Sequence, residues 1–192
     1  MRIQNVFKKI KNKKLLLVPM LLGALMSFQS VTLAQSSIWT CVGSTLAPDE
    51  GSLNNYLVDD AMFLHKGTIR GPIVGRANVT NPVDSGGNPQ WDTLEVFYRD
   101  PDDELPNDDQ NQVVVTLERT RLVSGESVIL ATFDSDTFPL NNNFQKQSVP
   151  FSHTFNFSQF AYFINVEVSR HPTNPLTTKK PIVAYVRLKN TP

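Results

Sequence analysis

The chain has 192 residues, balances 18 Lys and Arg against 18 Asp and Glu, and carries a single cysteine, Cys41. One cysteine excludes an intramolecular disulfide, so stability has to come from a packed core. The charge is unevenly spread: six cations (Arg2, Lys8, Lys9, Lys11, Lys13, Lys14) precede residue 15, and from residue 35 onward 12 cations face 18 carboxylates, a balance of −6. A surface of that sign repels phosphate backbones and anionic lipid, which argues against nucleic acid and against peripheral membrane attachment.

In chain order, the basic start is followed by an apolar run from Leu15 to Phe28 and a small-residue end, QSVTLA. This is the layout of a secretory signal peptide spanning residues 1–34, with cleavage expected after Ala34. The apolar run falls short of the roughly 18 residues of a membrane span and contains Pro19, so no span is expected in residues 35–192 and the destination is periplasmic or extracellular. SIWTCV predicts a first strand in which Cys41 is a small buried apolar residue; Ile38, Trp39 and Thr40 do not make it a lipid-anchor site.

The segment Ser52–Lys66 reads two ways. Leu53, Tyr56, Leu57, Ala61 and Leu64 follow helical spacing, whereas Tyr56, Val58, Met62 and Leu64 follow alternation. Its surroundings, with Gly67 and Gly71 close behind, favour a loop leading into a strand near Met62. PIVGRANVT then predicts a strand from Ile73 to Val79.

From Trp91 onward the pattern is period two. Leu94, Val96 and Tyr98 oppose Thr93, Glu95 and Arg99; Val113, Val115 and Leu117 oppose Thr116, Glu118 and Thr120. ESVILATFD is a third strand, joined through a turn at Ser124 and Gly125. VPFSHTFNF sets Val149, Phe151, Phe155 and Phe157 against Ser152, Thr154 and Asn156. YFINVEVSR sets Tyr162, Ile164, Val166 and Val168 against Phe163, Asn165, Glu167 and Ser169. IVAYVRLK sets Ile182, Ala184, Val186 and Leu188 against Val183, Tyr185, Arg187 and Lys189. Seven to eight such strands, with no repeat and no linker, predict one all-β domain over residues 35–192, an antiparallel β-sandwich.

The chemistry-bearing stretches are few. Between Asp100 and Asp109 lie Asp100, Asp102, Asp103, Glu104, Asp108 and Asp109. An EF-hand reading from Asp100 fails, because Leu105 stands where glycine is needed and Asn111 where the closing glutamate is needed. Pro101, Pro106 and Asn107 make a solvated hairpin connection the favoured reading, with an irregular calcium cage or a docking surface as alternatives. Asp134 and Asp136 form a second, weaker DxD. His153 shares the core parity of Phe151 and Phe155, and His65 and His171 lie beside turns. No HxH or HExxH joins the three, so no zinc site is expected. The run Ser124–Ser127 is a turn and not a nucleophile elbow. Glu95 and Glu167 project outward and would make a glycosidase pair only if they faced one another across a cleft. The sequons at Asn78 and Asn156 matter only in a eukaryotic secretory pathway.

The stretches PQWDTLEVFYRDP, ILATFDSDTFP and YFINVEVSR resemble small exported bacterial proteins of a cyanobacterial β-sandwich type with no assigned activity, over about Gly67 to Leu188. The resemblance implies an exported β-sandwich and carries over no catalytic or binding residue. The expectation is therefore an exported, non-catalytic protein that acts by binding or surface association, with no catalytic, cofactor or metal residue assigned. Its expected partner is a carbohydrate or a cell-surface component, for which Trp91, Phe97, Phe163 and Tyr185 offer stacking faces. A calcium-stabilised module and a secreted hydrolase are the alternatives.

Overall fold

Alternating apolar side chains need two covered faces, and the chain supplies them by folding into two antiparallel sheets that share one core. The computed structural model describes residues 37–83, 87–101, 111–139, 141–170 and 180–191. Among these lie eleven strands: β1 (Trp39–Val42), β2 (Ala47–Pro48), β3 (Tyr56–Asp59), β4 (Met62–His65), β5 (Gly71–Val79), β6 (Thr93–Asp100), β7 (Asn111–Arg121), β8 (Ser127–Asp134), β9 (Asn141–Pro150), β10 (Phe160–Arg170) and β11 (Ile182–Lys189). The six-stranded sheet runs β3-β4-β11-β6-β9, with β1 also on β11, and the five-stranded sheet runs β2-β5-β10-β7-β8. The β-sandwich read from the alternation is the observed architecture.

The inner faces carry the predicted sets. Leu94, Val96 and Tyr98 of β6 meet Val113, Val115 and Leu117 of β7 and Ile164, Val166 and Val168 of β10, all fully buried. Cys41 is buried in the same cluster, and burial pushes its thiol pKa up. Trp91 closes the core beside Phe155, edge on face at 5.0 Å, and its Nε1 donates to the Ser37 carbonyl at 2.6 Å.

Four sequence readings change. First, Ser52–Lys66 holds a hairpin and not a loop plus one strand: β3 pairs β4 from Tyr56↔His65 to Asp59↔Met62, and Asp60 takes a left-handed φ of 52° at its turn. Leu57 and Val58 of β3 are exposed, so the edge strand lacks the one-sided burial that makes alternation legible. His65, placed beside a turn by the sequence, is fully buried in β4, its Nε2 2.9 Å from the Val168 carbonyl.

Second, the strand expected over VPFSHTFNF lies earlier, at Asn141–Pro150, paired only with β6. Phe151, Phe155 and Phe157 do bury against the core. They do so from the segment that crosses to β10, without ladder pairing.

Third, β11 carries a bulge: Val183 pairs Tyr98 while Tyr185 pairs Phe97, leaving Ala184 over. The core side thus switches from Val183 to Val186 and Leu188, where strict alternation would have sent Ala184 inward. The bulge falls where the edge of β11 passes from β4 (Ile182, Val183) to β1 (Tyr185 to Leu188). The short turn Gly43–Thr45 fills that junction. A Cβ on Gly43 would lie 2.3 Å from the Val183 carbonyl oxygen and 2.7 Å from the Phe63 nitrogen, so only glycine fits there.

Fourth, β6 and β7 belong to different sheets, so the acidic run is not a hairpin. Its neck is closed by the buried Asn111, whose Nδ2 donates to the Pro101 carbonyl at 2.8 Å. Asp100 is buried at the base; Asp102 to Asp109 lie outside the described residues.

Candidate functional site

The outer face of the six-stranded sheet is built by three adjacent strands. The residues of β6 that oppose its core set are Thr93, Glu95, Phe97 and Arg99. Beyond the bulge, β11 supplies Tyr185, Arg187 and Lys189 in register: Tyr185 opposite Phe97, Arg187 opposite Glu95, Lys189 opposite Thr93. On the other side β9 places Lys146 opposite Phe97, Ser148 opposite Glu95 and Pro150 opposite Thr93.

Three rings run across these strands. Phe144 lies 5.3 Å from Phe97 at an interplanar angle of 32°, and Phe97 lies 5.2 Å from Tyr185 at 31°. Guanidinium groups cap both ends: Arg99 sits 5.5 Å over Phe144 and Arg187 sits 4.9 Å over Tyr185. Such cross-strand aromatic pairs stabilise a sheet. Phe144 nonetheless keeps 37% of its surface exposed.

Beside the rings, Glu95 forms the floor at 1% exposure. Its Oε1 accepts from the Tyr185 hydroxyl at 3.2 Å and from Arg187 Nη1 at 3.4 Å, and its Oε2 accepts from Lys189 Nζ at 2.5 Å. Burial alone would raise the pKa of Glu95; the hydrogen bond and charge of Lys189, with the charge of Lys146 and the Tyr185 hydroxyl, outweigh it and hold the pKa below the ordinary value. Tyr185 moves up, through burial first and the Glu95 charge second. A hollow of about 260 Å³ adjoins them, lined by Thr93, Ser148, Pro150, Lys189 and Thr191.

An ionised carboxylate with three donors on it is a poor proton donor, so Glu95 does not suit general-acid work. Nor does it face Glu167. Glu167 lies between Val166 and Val168, whose side chains enter the core, and so projects from the outer face of the five-stranded sheet. The two carboxylates stand on opposite sides of the sandwich, which removes the glycosidase pair.

The four candidate stacking aromatics also divide. Phe97 and Tyr185 meet on this face, Trp91 is only 1% exposed and offers none, and Phe163 is on the far side. There it lines a shallow cleft of about 420 Å³ with Arg76, Asn78, Glu118 and Asn165. Arg76 Nε donates to Asn165 Oδ1 at 3.0 Å.

His153 is half-buried, with its Nε2 3.0 Å from the Tyr162 hydroxyl, which also accepts from the Asn156 amide at 2.9 Å. The hydroxyl proton then serves His153, which suits a neutral ring, and burial followed by the Arg119 charge lowers its pKa. Asp134 caps the turn Ser135–Thr137, accepting from the Asp136 amide at 3.1 Å and from Gln112 Nε2 at 3.0 Å. His171 lies outside the described residues.

Sequence reasoning missed Phe144 and Lys146 because it missed β9. The signal was present in NNNFQKQSVP, where Phe144, Lys146 and Ser148 share one parity ahead of Pro150. Among the described residues no helix is long and apolar enough to cross a membrane.

No protein-family model matches the chain, and no curated protein does. Among solved structures it is similar to the family 11 carbohydrate-binding module of the cellulosomal cellulase Lic26A-Cel5E of Clostridium thermocellum, at 8% identity and a TM-score of 0.40, covering 81% of this chain and 88% of that one. The enzymatically active domain of tailspike protein 4 of bacteriophage CBA120 matches at 9% identity and a TM-score of 0.40, over 81% of this chain and 19% of the other. A structure of infectious bursal disease virus, Gx strain, matches at 12% identity and a TM-score of 0.33, over 81% and 32%. Likenesses this distant carry no argument about what the chain binds.

Proposed function

We propose that this protein is an exported, non-catalytic β-sandwich that binds a polysaccharide on the outer face of its six-stranded sheet. The observation that carries the reading is the three-ring row of Phe144, Phe97 and Tyr185 beside the hydroxyl-lined hollow at Thr93, Ser148 and Thr191. A pyranose offers an apolar C–H face and a rim of hydroxyls, and an aromatic row with polar groups at its side matches both. The row lies on rigid strands, so little order has to be imposed on binding. Export rests on the layout of residues 1–34. The non-catalytic part is supported by the engagement of Glu95 and its separation from Glu167.

Affinity electrophoresis in gels containing xylan, mixed-linkage β-glucan, polygalacturonate or alginate tests it. At least one polymer is expected to retard the protein. Phe144→Ala should weaken that retardation about tenfold, equivalent to about 1.4 kcal/mol, and lower Tm by only a few degrees, since what the fold loses is one cross-strand pair on an edge strand. No retardation by any of the four polymers, or retardation that survives both Phe144→Ala and Tyr185→Ala, overturns the reading.

A further inference from the structure

We infer that the polymer taken by this face is an acidic polysaccharide, one whose sugar residues carry carboxylates. The inference rests on the polysaccharide reading above and adds the sign of the ligand's charge.

The face runs against the electrostatics of the rest of the molecule. From residue 35 onward 12 cations face 18 carboxylates, yet the outward positions of β6, β9 and β11 carry four cations, Arg99, Lys146, Arg187 and Lys189, and one carboxylate, Glu95. Glu95 is at 1% exposure, whereas the side chains of Arg187 and Lys189 are 34% and 28% exposed. What reaches solvent is therefore the positive part of the cluster. A further carboxylate, Asp92, is held by two residues that line the hollow, its Oδ1 accepting from the Thr191 amide at 2.7 Å and from the Thr93 and Thr191 hydroxyls at 2.7 and 2.9 Å.

Arg187 is also held in place before any ligand arrives. Its Nη1 donates to Glu95 at 3.4 Å, its Nε donates to Thr40 Oγ1 at 3.2 Å, and its guanidinium rests 4.9 Å over the Tyr185 ring. A guanidinium has five N–H donors, so donors remain on the exposed side of a fixed plane. That is the arrangement that favours a carboxylate, which a planar fork can meet with two hydrogen bonds at small entropic cost. Lys146, exposed on β9 opposite Phe97, adds a second charge across the ring row. A chain of uronic-acid residues could lie along the rings and place carboxylates at Arg187 and Lys146 together.

Single-stranded nucleic acid also uses rings and cations. The net charge of the molecule opposes it.

The test is biolayer interferometry of the full-length protein against sensors coated with polygalacturonate, alginate, mixed-linkage β-glucan or oligo(dT). Binding to polygalacturonate or alginate is expected to be at least about tenfold tighter than to β-glucan, and to weaken severalfold between about 50 and about 300 mM NaCl as the charges are screened. Lys146→Glu should weaken it by at least about threefold and lower Tm by no more than a few degrees, since the residue is exposed but its charge reaches Glu95. Equal or tighter binding to β-glucan, or no effect of salt and of Lys146→Glu, overturns the inference and leaves the polysaccharide reading standing. Binding to no polysaccharide, or tighter binding to oligo(dT), overturns both.

Discussion

A carboxylate as covered as Glu95 would ordinarily be driven neutral, and it stays ionised because Tyr185, Arg187 and Lys189 converge on it. Its folded pKa lies below the ordinary 4.5, so as the pH falls the unfolded chain takes up the proton first. The stability it contributes is present in full above about pH 4.5 and is lost as the pH drops through the folded value. Glu95→Gln is expected to cost about 1–2 kcal/mol at pH 7, a figure kept low because solvent screens the half-exposed cations. The gap in Tm between the two proteins should narrow as the pH falls below about 4.5; a gap that stays constant from pH 7 to pH 3 in thermal melts would show that charge is not its source. At this scale the sequence put Glu95 on the outward side correctly. It could not show that the residue is covered, because the covering side chains come from a strand more than eighty residues away, and long cationic stems lie flat over such a site.

Among the elements, β11 tests parity most directly. Strict alternation sends Ala184 inward, whereas the bulge sends Val183 inward against Tyr98. Val183→Ala should therefore destabilise by about 1–3 kcal/mol, and Ala184→Ser by less than about 0.5 kcal/mol. Urea denaturation of both variants decides it: a larger loss at Ala184 would restore the unbulged register. The strands that were legible, β5, β6, β7 and β10, each have one face in the core, so burial wrote a period of two into them. Those that were not, β2, β3 and β9, are edge strands, whose outward residues answer to solvent and whose inward ones are only partly covered. One of the three rings of the candidate platform was lost with β9, since Phe144 has meaning only once its strand is paired with β6.

For the whole molecule, the connections matter as much as the strands. Except for the β3–β4 and β7–β8 hairpins, each strand is followed by one in the other sheet, so the two sheets are interleaved along the chain. Trp39 and Trp91, the two tryptophans of the chain, both belong to the single core cluster. Tryptophan fluorescence and far-UV circular dichroism should thus report one coincident unfolding transition. Refolding should take about a millisecond to seconds, as expected where distant pairings dominate. Two separated transitions would mean that the sheets unfold independently. Charge is likewise a property of the whole: the surplus of carboxylates from residue 35 onward and the cationic outer face coexist because pairing brings Arg99, Lys146, Arg187 and Lys189 together from three strands.

The sequence by itself determined the β-sandwich, the core sets of β6, β7 and β10 and the outward direction of Glu95, Phe97, Phe163, Glu167 and Tyr185, because side-chain direction along an unbulged strand depends only on local period. Tertiary structure alone decided that Phe97 and Tyr185 share a face with Phe144, that Glu95 and Glu167 do not share one, that Trp91 is core, and that the acidic run joins two sheets. Each of these depends on which strand lies beside which, and that is fixed by how the two sheets close around their core and not by any window of neighbouring residues.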